Sequence, residues 1–118
     1  MIINSFFWVV IAVLCNVLAQ TSLKKASELL LDNKNTWIFN SSGLILVLFG
    51  MLCYSIAFFL TLKIYKSNEL SVITPLMMGM IFIFTIIISI LIFNEPVSTK
   101  KIAGSSLIII GVLLVSIK

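Results

Sequence analysis

Histidine and arginine are both absent from this 118-residue chain, and only four residues are acidic. Without histidine the usual general base and metal ligand is missing. None of the acids falls inside a long apolar run, so neither a catalytic constellation nor an intramembrane proton relay can be built from the usual parts. No hydrolase, kinase or redox motif is present, so no enzyme activity, cofactor or metal is expected. The two cysteines, Cys15 and Cys53, lie inside apolar runs, where a thiol behaves as a small hydrophobe, which argues against a disulfide framework. The net charge of +4 comes from lysines alone. They stand singly or in pairs at the ends of apolar runs, as membrane-boundary lysines do, and this pattern fits nucleic acid poorly.

What the chain does contain is apolar surface. With 61% hydrophobic residues, 10% charged residues and a mean hydropathy of +1.25, it has too little polar surface to cover a soluble domain. The charge-free runs predict an all-α integral membrane protein, a single domain over residues 1–118 with four transmembrane helices near 2–22, 43–62, 70–93 and 102–117. The first run lacks a basic n-region and an A-x-A site, and further apolar runs follow, so it reads as a retained span. The fourth is shorter than the ~20 residues a crossing needs, and snorkelling Lys100, Lys101 and Lys118 can extend it.

The first span, WVVIAVLCNVLAQTSLKK from Trp8 to Lys25, carries two amides that need a reason to be there. Residues four apart share a helix face, so Trp8, Ala12, Asn16, Gln20 and Lys24 form one stripe. An unpaired amide facing hydrocarbon costs several kcal/mol, so the stripe must face protein or water. It can line a transport path, or it can bond one helix to another.

The connection that follows holds a turn signal at Asp32, Asn33 and Lys34 and an interfacial Trp37, while Leu29 to Leu31 can either extend the first helix or lie along the interface. In the second span Gly50, Cys53, Tyr54 and Ser55 make one face small and polar, and small residues let helices approach closely in lipid. The Tyr54 hydroxyl needs a partner at that depth. Ile64–Glu69 reads as a tight hairpin. The third span holds Thr74, Pro75, Met77, Met78, Gly79 and Met80, a proline kink beside soft side chains that suits either an adaptable wall or plain packing. Ser98 and Thr99 are candidate N-caps of the fourth helix. In that helix Gly104 and Gly111, seven apart, form a seam able to carry helix association.

Four spans place Lys24, Lys25, Lys34, Lys100 and Lys101 opposite Lys63, Lys66 and Lys118. This is a weak bias that either puts the first and third loops in the cytoplasm or allows insertion both ways.

The stretch NEPVSTKKIAGSSLIIIGVLLV, residues 94–115, resembles the last-span signature of the drug/metabolite transporter superfamily, and nearly the whole chain is similar to its four-helix, EamA-like members. CYSIAFFL (residues 53–60), Gly79, Gly104 and Gly111 resemble positions of the small multidrug resistance transporters. The resemblance implies a multi-pass protein of the inner (plasma) membrane that works by alternating access. Two chains would pair as a homodimer or with a paralogous four-helix subunit, often antiparallel. Gly104 and Gly111 would form the dimer seam, and Tyr54 and Met77 would lie near the chamber. Multidrug exporters of this kind carry a glutamate in helix 1, and the matching position here is Asn16, which neither titrates nor pairs with a cation as a carboxylate does. NVLAQTSLKKA, residues 16–26, looks more like the small flippase subunits that move sugar-modified polyprenyl phosphates. Amides can bond sugar hydroxyls or phosphate oxygens, and Lys24 can receive an anionic head.

The expectation is therefore a transporter of a lipid-linked sugar or anionic amphiphile, with Asn16, Gln20, Lys24, Tyr54, Thr74 and Met77 as candidate substrate-binding residues. The alternatives are an exporter of lipophilic cations and a non-transporting subunit of a heterodimer.

Overall fold

The computed structural model describes residues 2–31 and 37–116, which fold as α1 (Ile2–Leu30), α2 (Ser41–Ser67), α3 (Leu70–Phe93) and α4 (Thr99–Ser116). The expected turn at Asp32, Asn33 and Lys34 lies outside the described residues, as do Ile117 and Lys118. Among the described residues there is no strand, only an isolated bridge between Leu31 and Trp37. The first three helices are long and apolar enough to cross a membrane. The fourth has 18 residues and opens on Thr99, Lys100 and Lys101.

Two helices run further than their apolar stretches. The first continues past Ser22 to Leu30, and its 29 residues span about 44 Å at 1.5 Å per residue, well beyond the ~30 Å of hydrocarbon. Charge marks where lipid ends, but Lys, Ala, Glu and Leu are all good helix formers and carry the helix on. Ala26 and Leu30 stay buried on this extension while Lys24, Lys25 and Glu28 are exposed. The second helix begins at an Asn40 cap, whose side chain accepts from the Ser42 N–H at 2.9 Å, and runs to Ser67. The hairpin expected over Ile64–Glu69 therefore narrows to Asn68 and Glu69, because Ile64 is a core residue at 2% exposure and holds that helical turn in place.

The largest interface joins α1 to α2. Ala12, Ala19 and Ala26 recur every seven residues on α1, all but fully buried, and face a seam of Gly43, Gly50, Cys53, Ala57 and Ile64 on α2. A seven-residue repeat of small side chains keeps one face turned toward its neighbour and lets backbones approach closely. A Cβ built on Gly50 falls 3.1 Å from Leu23 and 3.3 Å from the Ala19 carbonyl, and one built on Gly43 falls 2.6 Å from Leu30. The third helix packs on α1 and carries α4, with Gly79 accepting Val112 so closely that an added Cβ would meet it at 3.0 Å. No such neighbour exists at Gly104 or Gly111, where an added Cβ meets nothing within 4 Å.

The core sits at one end of the bundle. Val9, Val13 and Val17 of α1 pack with Ile64 of α2 and with Ile73 and Met77 of α3, and Trp8, Leu60 and Phe84 close around them. At the same end the Lys63 ammonium lies 3.7 Å from the centre of the Trp8 ring. Thr74 Oγ1 stands 3.4 Å from the Tyr65 hydroxyl across the short turn between α2 and α3. Elsewhere large apolar side chains face outward along α2, α3 and α4. Such a surface is stable only against lipid or another helix. Among the described residues no polar or charged side chain is buried. Hydroxyls within the helices bond back to their own backbone, as Thr21 does to Val17, Thr61 to Ala57 and Ser55 to Met51, which removes the cost of placing them in an apolar setting.

Candidate functional site

Toward the end opposite that core, α1 meets α3 through polar and charged side chains, Gln20 at Thr85 and Lys24 at Phe93. A cavity of about 900 Å³ lies between α1, α3 and the first half of α4. Its body is isoleucine: Ile83, Ile86, Ile87 and Ile90 from α3 face Ile102, Ile108 and Ile109 from α4. Toward the helix ends it becomes polar and charged, with Gln20, Thr85 and Ser89 below Lys24, Glu95, Lys100 and Lys101. Three lysines against one glutamate leave the mouth cationic, and the trough beneath it is apolar.

The α1 stripe divides here. A four-residue step turns a helix through about 400°, so each step advances the row by about 40°. Over Asn16 to Lys24 the row therefore swings from one neighbour to the other. Gln20 and Lys24 reach the cavity beside α3. Asn16 looks toward α2, where it lines a second, smaller cavity of about 620 Å³ with Tyr54, Ser55, Phe58, Phe59 and Thr61. The Asn16 amide donates to the Ala12 carbonyl of its own helix at 2.9 Å. Tyr54 is 37% exposed, and its hydroxyl makes no hydrogen bond among the described residues. Thr74 sits by the turn between α2 and α3, and Met77 is a core residue, so neither lines the larger cavity.

Gln20 joins α1 to α3. The Thr85 hydroxyl has one proton and stands 3.0 Å from Gln20 Oε1 and 2.7 Å from the Ile81 carbonyl. With that proton on Ile81, a Gln20 amide turned so that its NH₂ faces Thr85 satisfies both groups. Interhelical bonds of this kind contribute ~0.6 kcal/mol in membrane proteins, enough to set register but too little to hold a bundle together.

Lys24 is held twice, with its ammonium 4.5 Å from the centre of the Phe93 ring and paired with the Glu95 carboxylate. The two partners of the pair are 42% and 33% exposed, so solvent screens it, and it stabilises the fold by about 1 kcal/mol or less. Glu95 was legible in the sequence only as part of a helix break. Its placement follows from how α3 ends: Asn94 adopts the left-handed conformation (φ 49°, ψ 36°), which asparagine tolerates better than most residues. That turn brings the Glu95 N–H to within 3.2 Å of the Ser89 carbonyl, and the Ser89 hydroxyl donates to the Glu95 carboxylate. Past the break, the Ser98 hydroxyl accepts from the Lys101 N–H at 3.3 Å and so caps α4, while the Lys101 ammonium reaches the Pro96 carbonyl at 3.4 Å.

Thr85, Ser89, Phe93 and Glu95 all escaped the sequence reading as site residues. A spacing of three to four residues puts Thr85 and Ser89 on one face of α3, and that is the signal from which this polar edge could have been found.

Comparison with known proteins agrees with this architecture. The model of the EamA-like transporter family matches residues 1–117. No curated protein and no solved structure matches the chain. Three helices fit to cross a bilayer, together with a family match over almost the whole length, make this chain a multi-pass membrane protein that belongs to the EamA-like transporter family.

Proposed function

We propose that the chain moves an anionic amphiphile, of the kind represented by a lipid-linked sugar phosphate, across the inner membrane by alternating access, and that it does so through the cavity between α1, α3 and α4. The carrying observation is the composition of that cavity, in which an isoleucine trough suited to a hydrocarbon chain runs up to a mouth lined by Lys24, Lys100 and Lys101. Gln20, Thr85 and Ser89 lie between the two and offer donors and acceptors to hydroxyls next to a phosphate. A tight core at one end and a cavity at the other also suit a protein that opens to one side at a time.

In this reading α4 is the fourth crossing and the working unit is a pair of chains, with a second copy or a paralogous subunit. The α4 face bearing Gly111 supports that pairing, because an added Cβ there meets nothing within 4 Å, whereas the equally open Gly104 borders the cavity. Asn16 and Tyr54, on the α2 side, belong to a second and subordinate surface of the path.

Translocation in reconstituted vesicles tests the reading. A fluorescent prenyl monophosphate placed in the inner leaflet is expected to become accessible to an impermeant quencher only when the protein is present. A trimethylammonium amphiphile of the same chain length is expected to stay where it is. Movement of the ammonium compound with the phosphate left behind would favour export of lipophilic cations. Movement of neither would favour a non-transporting subunit.

A further inference from the structure

The turn that ends α3 does more than break a helix. Asn94 folds the chain back, the Glu95 N–H bonds to the Ser89 carbonyl, and the Ser89 hydroxyl holds the carboxylate, so the acid is fixed on both its backbone and its side chain. Across the cavity mouth that carboxylate meets Lys24 of α1. Lys24 is the cavity's link between α1 and the α3–α4 turn, and the same ammonium would meet an anionic head entering the cavity. One cation cannot give its full charge to two anions.

We infer that Glu95 is a resident counter-anion of Lys24 that the anionic head of the substrate replaces on binding. The inference rests on the anionic-amphiphile reading above and adds a residue that sets its selectivity. A phosphate brings its own charge and compensates Lys24 as the carboxylate leaves. A neutral or cationic amphiphile that displaced Glu95 would leave the lysine without a partner, so the pair admits anions and discriminates against other heads. Displacement also unties α1 from the α3–α4 turn, which couples occupancy of the cavity to freedom of its walls. Lys100 and Lys101 line the same mouth and receive the released carboxylate. Glu69, at the start of α3 and so at the far end of that helix from Glu95, lies outside the lining of the cavity and provides a control of equal charge.

Binding of a prenyl monophosphate to the full chain in nanodiscs, measured by calorimetry, tests this. Glu95→Gln is expected to bind about two- to fivefold more tightly than wild type, the range that a partly exposed ion pair supports. Glu69→Gln is expected to change affinity by less than about twofold, because salt screens a charge at the far end of α3. The gain should vanish in Lys24→Met/Glu95→Gln, and Ser89→Ala, which frees the carboxylate without removing it, should give a smaller gain of the same sign. Wild type that binds the phosphate while Glu95→Gln binds equally or less well would overturn the counter-anion role alone. If Glu95→Gln does not fold, Ser89→Ala decides, and no gain there overturns the role. Absence of phosphate binding by wild type and every variant would overturn both the role and the reading beneath it.

Discussion

Gly50→Leu is expected to destabilise the protein by at least ~2 kcal/mol, seen as loss of monodisperse protein on mild heating in detergent. The position leaves no room for a side chain. The first added carbon already stands 3.1 Å from Leu23 and 3.3 Å from the Ala19 carbonyl, and the second of these is backbone that cannot swing aside. A leucine must therefore push α1 and α2 apart along the whole alanine seam of Ala12, Ala19 and Ala26, and a membrane offers no hydrophobic drive to pull them back. Gly111→Leu, on α4 away from the cavity lining, makes the same chemical change without that cost. Nothing stands within 4 Å of its added carbon, so the heat stability of a single chain should move by less than ~0.5 kcal/mol. If α4 is the pairing seam, that same variant shifts the population from dimer to monomer in size-exclusion chromatography with light scattering. Equal melting of Gly50→Leu and wild type would contradict the α1–α2 packing described here.

Lys24→Gln is expected to lower translocation of the prenyl monophosphate at least tenfold, whereas Asn16→Leu should retain more than about half of wild-type activity. The two residues lie on the same nominal face of α1, yet the drift of that row sends them to different neighbours. Lys24 stands at the cavity mouth, where a charge-assisted bond to a phosphate oxygen contributes more than a neutral one. Glutamine keeps most of the length and the polarity but not the charge, so the loss isolates the electrostatic part. The Asn16 amide is already satisfied by the Ala12 carbonyl and lies by the smaller cavity beside Tyr54. Leucine there loses one local bond and leaves the larger cavity untouched. A reversed order of effects would move the path to the α1–α2 side.

The membrane class, the number of helices and the small-residue character of their contacts were all legible from hydropathy and charge spacing. The seven-residue recurrence of Ala12, Ala19 and Ala26 was also present in the sequence, though it is masked by the larger apolar residues around it. Helix ends were less legible, because hydropathy reports where lipid stops and the hydrogen-bond ladder runs on through Lys24 to Leu30 and through Ile64 to Ser67. The polar stripe on α1 was found, but its division was not. Periodicity tells which residues share a face and not which neighbour that face meets, and the slow rotation of the row separates Asn16 from Lys24. Glu95 was the hardest to assign, since its role depends on a left-handed Asn94 and on α1 arriving opposite the turn, a contact between residues 71 positions apart.

The claim that substrate occupies the cavity between α1, α3 and α4 is tested most directly by protection of single cysteines. In a chain whose two native free cysteines are replaced by alanine, Ser105→Cys would report on that cavity and Ser55→Cys on the one beside Asn16. Labelling by a thiol reagent is followed with and without saturating prenyl monophosphate. Slowing of several-fold at residue 105 with little change at residue 55 is the expected result. Protection at residue 55 with none at residue 105 would contradict the account.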